Sequence, residues 1–162
     1  MKLATITAVF AAAAPMAGDV EAPAPESVFP VRGHVDWREA DARFGAYRDG
    51  RAHEGQDVFA AAGTPLVSVR DGELVETGDD GGRGNYVAIW SRRARRTFVY
   101  LHMRRPTALR AGEHVRAGQR IGAVGCTGSC WGDHLHLELR HGRGTTGTAL
   151  DPLPLLRRLA PR

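Results

Sequence analysis

The amino-acid sequence predicts a single, mostly β domain with few short helices, and three observations lead to this prediction. The length of 162 residues suits one domain with an ordinary core. Residues 134–140 alternate polar residues with leucines at a strict period of two, which is typical of a strand with one buried face. From Pro65 onward, short apolar runs separated by turn signals such as Asp71-Gly72 dominate the chain.

The turn signals divide this part of the chain into separate elements. A Gly/Asp-rich loop is predicted over 79–84, and residues 153–159 are expected to form one or two helical turns. The predicted strands cover residues 66–69, 74–77, 86–90, 97–103, 121–124 and 134–140.

The first 28 residues are predicted to lie outside the folded domain. Residues 1–17 resemble a short secretory signal, with Lys2 followed by an apolar stretch and then small residues. The apolar stretch is shorter than the ~20 residues of a membrane span, so a stable membrane anchor is not expected. Residues 18–28 are rich in Ala, Pro and Glu and are expected to be a linker, which leaves residues 29–162 as the domain.

The positive charge of the chain is almost entirely arginine, because Lys2 is the only lysine and the net charge is +4. A domain without lysine cannot be a biotin or lipoyl carrier and cannot form a Schiff base. Four arginines lie between two predicted strands without interleaved aromatic residues, so we interpret them as a solvated hairpin tip and expect no binding to nucleic acid. They are Arg92, Arg93, Arg95 and Arg96.

The two cysteines, Cys126 and Cys130, lie four residues apart in a Gly-rich segment. An even cysteine count in an exported protein favours a small disulfide loop. The other interpretation is a pair of thiolate metal ligands, which persist poorly outside the reducing cytosol.

Two histidine-containing patterns are candidates for chemistry. Residues i and i+2 of a strand point the same way, so His134 and His136 share one face. His53 and Asp57 offer an imidazole and a carboxylate in a predicted loop that enters a strand at Val58. Catalytic zinc takes three nitrogen or oxygen ligands and leaves one position open, so this set favours a catalytic site over a structural one. Spacing alone does not choose between His134 and His136 as the ligand.

A further histidine, His102, lies on the predicted strand over 97–103, where alternation places it on the face that carries Phe98 and Tyr100. His102 and the unligated histidine of the strand pair are candidates to accept a proton from water and to stabilise an oxyanion. Three other histidines match no motif and are expected to be exposed: His34, His114 and His141.

Several short motifs between about Phe29 and Asp151-Pro152 together resemble the lysostaphin/LytM-type zinc endopeptidases, and they occur in the order typical of that family. The motifs are His53-x-Gly55-x-Asp57, Ala62-Gly63-Thr64-Pro65, Asp71-Gly72, Gly84-Asn85, Tyr100-x-His102, Gly118-Gln119-x-Ile121-Gly122, Gly125-x-Thr127-Gly128 and His134-x-His136-x-Glu138.

The resemblance implies a single antiparallel β-sheet or sandwich core with a substrate groove, and one zinc ion per chain. It implies hydrolysis of peptide bonds in the stems or crossbridges of bacterial peptidoglycan, in the cell wall or periplasm, by a protein expected to be a monomer. Carried over residue by residue, it assigns His53, Asp57 and His136 as zinc ligands. His102 and His134 then form the unligated catalytic pair.

The alternative is a non-enzymatic relative that binds wall peptide or regulates another hydrolase. Loss of zinc or catalytic residues is the usual sign of such a relative, and all five residues are present here. Two departures from the family pattern affect loop shape and substrate preference: Asp133 replaces a small or apolar residue, and the loop from Cys126 to Cys130 is an addition.

Two polar residues keep alternative interpretations. Glu138 either orients His136 from behind or is solvated at the surface. Asn85 either orders the groove or belongs to an ordinary Gly-Asn turn.

Overall fold

Strands make up most of the regular structure in the computed structural model, which describes residues 26–37, 39–48 and 50–160. The predicted signal over 1–17 and most of the predicted linker lie outside these residues. Along the described chain the elements are β1 (Tyr47–Arg48), β2 (Arg51–Ala52), β3 (Gln56–Phe59), β4 (Pro65–Val67), β5 (Gly72–Asp80), β6 (Gly84–Ser91), β7 (Arg96–Met103), β8 (His114–Val115), β9 (Arg120–Ala123), β10 (His134–His141), β11 (Ala149–Leu150) and α1 (Leu153–Leu159).

The main sheet has seven strands and is antiparallel throughout. Its order is β11-β10-β7-β6-β5-β8, and β3 joins the same edge of β10 as β11 does. Two small sheets, the β1–β2 hairpin and the β4–β9 pair, complete the β structure of the described residues. The prediction of a mostly β, antiparallel fold is confirmed.

The predicted strands are all present with shifted ends. β5 continues to Asp80 and β6 begins at Gly84, so the predicted 79–84 loop shrinks to a short turn. The segment around Asp57 is a strand rather than a loop, because Gln56 and Asp57 pair with Leu137 and His136 of β10. Pairing with a distant strand leaves no local periodicity, which explains why the sequence pattern missed it.

The hydrophobic core follows from alternation in the central strands. Leu135 and Leu137 of β10 are fully buried in the main core cluster, which also receives Leu156 of α1. The opposite face of the sheet carries a second, smaller cluster that includes Val99 and Leu101 of β7. Because both faces of β6, β7 and β10 are covered, polar groups on these strands are held in buried surroundings.

The elements at the two ends of the described chain pack onto this sheet. The backbone N–H of Val28 donates to the carbonyl of Val69 at 3.0 Å, so contact with the domain begins just before the predicted boundary at Phe29. α1 forms the predicted helix with seven residues. No helix in the described part of the chain is long and apolar enough to cross a bilayer.

The turn between β6 and β7 carries the cluster of four arginines. Arg92, Arg93 and Arg95 are exposed, in agreement with a solvated hairpin tip. The predicted exposure of three histidines is also confirmed: His34, His114 and His141.

Replacement of Tyr100 by Phe should destabilise the fold. The Tyr100 side chain is fully buried and its hydroxyl oxygen accepts a hydrogen bond of 2.8 Å from the backbone N–H of Val69. Tyr100→Phe leaves that buried N–H unpaired, so we expect the free energy of unfolding to fall by about 1–3 kcal/mol in urea titrations. The matched control is Tyr47→Phe, at a side chain that is 78% exposed, and it should change stability by less than about 0.5 kcal/mol. Equal stabilities for the two variants would contradict the structural role of the Tyr100 hydroxyl.

Candidate active site

Three candidate metal-binding side chains meet where β3 lies beside β10. Asp57 is the direct cross-strand partner of His136, and His53 lies on the segment that leads into β3. His136 Nδ1 is 2.9 Å from Asp57 Oδ1, and His53 Nε2 is 2.9 Å from His136 Nδ1 and 3.2 Å from Asp57 Oδ1. All three side chains are buried, so they form a compact set of ligand atoms enclosed by protein.

The remaining ring nitrogens show that these converging atoms are lone-pair donors. His53 Nδ1 donates to the backbone carbonyl of Arg43 at 2.8 Å, and His136 Nε2 donates to Glu138 Oε1 at 3.3 Å. The nitrogens that face Asp57 therefore have lone pairs available. Three lone pairs about 3 Å apart repel one another unless a positive charge lies between them. Two imidazoles and a carboxylate are a donor set that suits zinc, so the residues fit this metal.

The pKa values of the buried groups reflect the same demand for positive charge. Burial alone would raise the pKa of Asp57, but the contacts with His136 and His53, which become hydrogen bonds when an imidazole is protonated, hold it well below its ordinary value. Burial alone would lower the pKa of His136, but hydrogen bonds to Asp57 and Glu138 raise it. The centre therefore stabilises a cation, either a proton or a metal ion.

Arg48 is a charged neighbour of this centre that the sequence patterns did not reveal. Its Nη2 lies 2.8 Å from Asp57 Oδ2, the carboxylate oxygen turned away from the histidines. Arg48 thus occupies one oxygen of Asp57 and leaves Oδ1 for the centre. The hairpin that carries Arg48 is formed by two two-residue strands, too short for a periodic signal.

Glycine at position 55 is required by close approach rather than by a turn. A Cβ atom built at Gly55 would lie 2.5 Å from His136 Nε2 and 2.6 Å from the carbonyl oxygen of Leu137. Because both contacts are much shorter than van der Waals distance, any other residue would displace His136 or separate the two strands. The spacing of His53-x-Gly55-x-Asp57 therefore has a steric reason.

His102 and His134 form a second buried pair beside the first centre. Each donates from Nδ1 to a backbone carbonyl at 2.9 Å, His102 to Thr127 and His134 to Gly132. Nε2 of each ring is left as an acceptor. The two rings are 4.9 Å apart, and His134 Nε2 lies 3.6 Å from Asp57 Oδ1.

Burial keeps this second pair neutral. It lowers the pKa of His134, and it lowers the pKa of His102 to about 4. Both imidazoles are therefore uncharged near pH 7 and can accept protons.

The predicted orientation of His102 is wrong, and a β-bulge is the reason. β7 has one extra residue between Tyr100, which pairs with Val87, and Met103, which pairs with Asn85. His102 adopts φ 61°, a left-handed conformation that is uncommon for a residue other than glycine. The bulge interrupts alternation and turns His102 away from the Phe98 and Tyr100 face towards the ring of His136, 5.8 Å away.

The loop between the two cysteines holds this bulge. Cys126 and Cys130 are joined by a disulfide with a Cα–Cα distance of 5.3 Å, the pairing that the sequence favours. Between them, the Thr127 hydroxyl donates to the carbonyl of Met103 and accepts from the backbone N–H of Asn85, each at 2.9 Å. The carbonyl that orients His102 thus belongs to a loop fastened at several points.

The structure decides between the alternatives for Asn85 and Glu138. Asn85 is a buried residue of β6 whose side-chain amide donates to the carbonyl of Met103, so it orders the edge of the bulge and is not part of a simple turn. Glu138 is buried, accepts from His136 and pairs with Arg140 at 2.7 Å. It therefore lies behind His136 rather than in solvent.

An open groove of about 670 Å³ lies over the two histidine centres. His53, His102 and His136 line its floor, and the exposed Trp131 stands at its rim beside Cys130. Arginine supplies the positive charge of its walls: Arg48, Arg51, Arg83 and Arg140.

Residues 51–152 match the model of peptidase family M23. Over 116 residues the chain is 35% identical to peptidoglycan DD-endopeptidase ShyC of Vibrio cholerae. The alignment covers 67% of this chain and 26% of that protein. The chain is 33% identical over 110 residues to lysostaphin of Staphylococcus simulans, and the alignment covers 67% of this chain and 22% of lysostaphin. The chain thus spans about a quarter of the length of the curated relatives it matches.

Solved structures show the same similarity. The catalytic domain of lysostaphin from Staphylococcus simulans matches with a TM-score of 0.65 at 32% identity, over 71% of this chain and 89% of that one. A zinc containing peptidase from Vibrio cholerae matches with a TM-score of 0.64 at 27% identity, over 79% of this chain and 39% of that one. The resemblance to the lysostaphin/LytM-type peptidases is confirmed.

Replacement of Gly55 by Ala should disrupt the metal-binding set while a matched glycine replacement should not. The added methyl group would overlap His136, so we expect zinc content after dialysis to fall to less than about half of the wild-type value. Gly81→Ala is the control, because a Cβ at Gly81 meets nothing within 4 Å. Elemental analysis gives the zinc content, and circular dichroism checks the fold. Full zinc content in a folded Gly55→Ala protein would show that the close approach to His136 has no role.

Proposed function

Because the chain belongs to peptidase family M23, whose model matches residues 51–152, we propose that it is an exported zinc-dependent endopeptidase that hydrolyses peptide bonds in bacterial peptidoglycan. The bonds lie in the stem peptides or the crossbridges. One observation carries this proposal: a buried set of three ligand atoms lies beside two further buried histidines whose Nε2 atoms are free to accept protons. The names of the relatives, peptidoglycan DD-endopeptidase and lysostaphin, support the substrate class.

His53 Nε2, Asp57 Oδ1 and His136 Nδ1 would hold one zinc ion per chain. When bound, zinc supplies Lewis acidity that polarises the scissile carbonyl and makes water more acidic. Glu138 and the carbonyl of Arg43 hold the two ligand imidazoles in the tautomers that metal binding needs. Such support from behind the ligands fixes ring orientation and raises ligand basicity.

His102 and His134 would perform the proton transfer and charge stabilisation. One of them would accept a proton of the attacking water at Nε2, and the imidazolium formed in this way would stabilise the oxyanion of the tetrahedral intermediate, with the other ring beside it. Hydrogen bonds from Nδ1 to Thr127 and Gly132 keep both Nε2 atoms available. Since burial lowers the pKa of both groups, they are in the basic form at neutral pH.

The cellular setting forms part of the same proposal. Residues 1–17 have the composition of a secretory signal, and the pair Cys126–Cys130 is compatible with an oxidising compartment. The protein would therefore act on peptidoglycan in the cell wall or periplasm, and we expect it to be a monomer. A non-enzymatic, regulatory role is disfavoured because the ligand set and the second histidine pair are both complete.

Separate replacement of His102 and His134 by Ala tests the catalytic proposal. Neither is needed to hold zinc, so we expect zinc content and circular dichroism to match wild type. Turnover of purified peptidoglycan should fall by about two to four orders of magnitude, the usual effect of losing a positioned acid-base or oxyanion group. Released peptide ends are identified by mass spectrometry, and His114→Ala, at an exposed histidine, is the control.

Two results would overturn the proposal in different ways. Full hydrolysis by both variants would show that His102 and His134 are not catalytic. Zinc-loaded wild-type protein that cleaves no peptidoglycan type, yet binds it, would establish the non-enzymatic role instead.

A further inference from the structure

The charges that line the groove are not balanced. Four arginines face two carboxylates, Glu54 and Glu138. Arg140 pairs with both, since its Nη2 lies 2.7 Å from an oxygen of each. The two carboxylates of the lining are thus engaged by one arginine, and the other three arginines have no partner within the lining.

Two of these three arginines have partners outside the groove lining. Arg48 contacts the buried Asp57 at 2.8 Å. Arg83 pairs with Asp80 at 2.8 Å and Glu76 at 3.4 Å, and its guanidinium lies 4.0 Å above the ring of Tyr86. The positive charges of Arg48 and Arg83 are therefore already paired with carboxylates of the protein.

Arg51 differs from the other three. It is exposed at the groove and has no hydrogen-bond or ion-pair partner among the residues that the structure describes. It is also the direct cross-strand partner of Arg48 in the β1–β2 hairpin, so the two side chains lie on the same face. Like charges in directly opposed positions destabilise a strand pair. Because Arg48 is already paired with Asp57, Arg51 is the member of this pair whose charge is left for a ligand anion.

We propose that Arg51 binds a free carboxylate of the substrate peptide close to the bond that is cleaved. This inference rests on the proposed function, and it names the substrate class more narrowly. Arg51 lines the same groove as His53 and His136, so a group that it holds would lie in the groove beside the metal-binding centre. In a crosslink through diaminopimelate, a free carboxylate stands on the carbon next to the crosslinking amide, whereas a glycine bridge carries none. The groove therefore selects the anionic, diaminopimelate-type crosslink over an uncharged bridge.

The test uses two soluble crosslinked peptides that differ in one group. The diaminopimelate carboxylate next to the crosslinking amide is left free in one peptide and converted to the carboxamide in the other. For zinc-loaded wild type, kcat/KM should be about tenfold higher for the carboxylate peptide, the scale of one charge-assisted hydrogen bond at a partly exposed site. Arg51→Gln should reduce this ratio to near one, and Arg51→Lys should keep part of it because the charge remains.

The control is Arg116→Gln. Arg116 is exposed and directly follows β8, the edge strand of the main sheet that is farthest from β10 and the groove. This variant should keep the wild-type ratio. A wild-type ratio near one, or a wild-type ratio retained in Arg51→Gln, would overturn the inference while leaving the hydrolytic function intact.

Calorimetry with the same two peptides covers the case in which neither is cleaved. Tighter binding of the carboxylate peptide to wild type, lost in Arg51→Gln, would support the role of Arg51 although the hydrolytic proposal had failed. Equal affinities for the two peptides would overturn it.

Discussion

The pairing of β3 with β10 is the constraint on which the proposed active site depends. In the observed register Asp57 lies opposite His136, and a slip of one residue would move Asp57 to the other face of the sheet. Gly55 permits this close pairing because it has no Cβ to meet the His136 ring. β10 also pairs with β7 on its other side, with Leu101 opposite His136, and this brings the bulged His102 to the same centre. β10 thereby brings together side chains from two other strands, β3 and β7.

Local electrostatics give identical side chains different tasks. His136 is held by two carboxylates, so its pKa rises despite burial, and it suits a position next to a cation. His102 is buried against a backbone carbonyl with no carboxylate bonded to it, and its pKa falls to about 4. The first environment stabilises a positive charge at the ring, and the second keeps the ring neutral. Arg51 adds positive charge to the groove beside this centre.

Much of the fold follows from local patterns, because each central strand carries its own alternation and its own turn signals. β10 is the clearest case, since the polar-leucine alternation of 134–140 matches the strand almost to its ends. Features that depend on contacts between residues distant in sequence could not be predicted from these local patterns. Asp57 joins a strand only through its distant partner, and the two-residue strands around Arg48 and Arg51 are too short for any period. Alternation also failed at His102, where a bulge stabilised by Thr127 and Asn85 reverses the side chain. His102 thus departs from the strand pattern at a β-bulge, whereas His134 and His136 follow it.

Zinc-edge anomalous diffraction from crystals of the zinc-loaded protein tests the central claim most directly, because it reports which atoms surround the metal. We expect one peak per chain, within coordination distance of His53 Nε2, Asp57 Oδ1 and His136 Nδ1, with His102 and His134 unligated. A chain without a peak, or a peak coordinated by His102 or His134 in place of these atoms, would contradict the division between a metal-binding centre and a neutral catalytic pair.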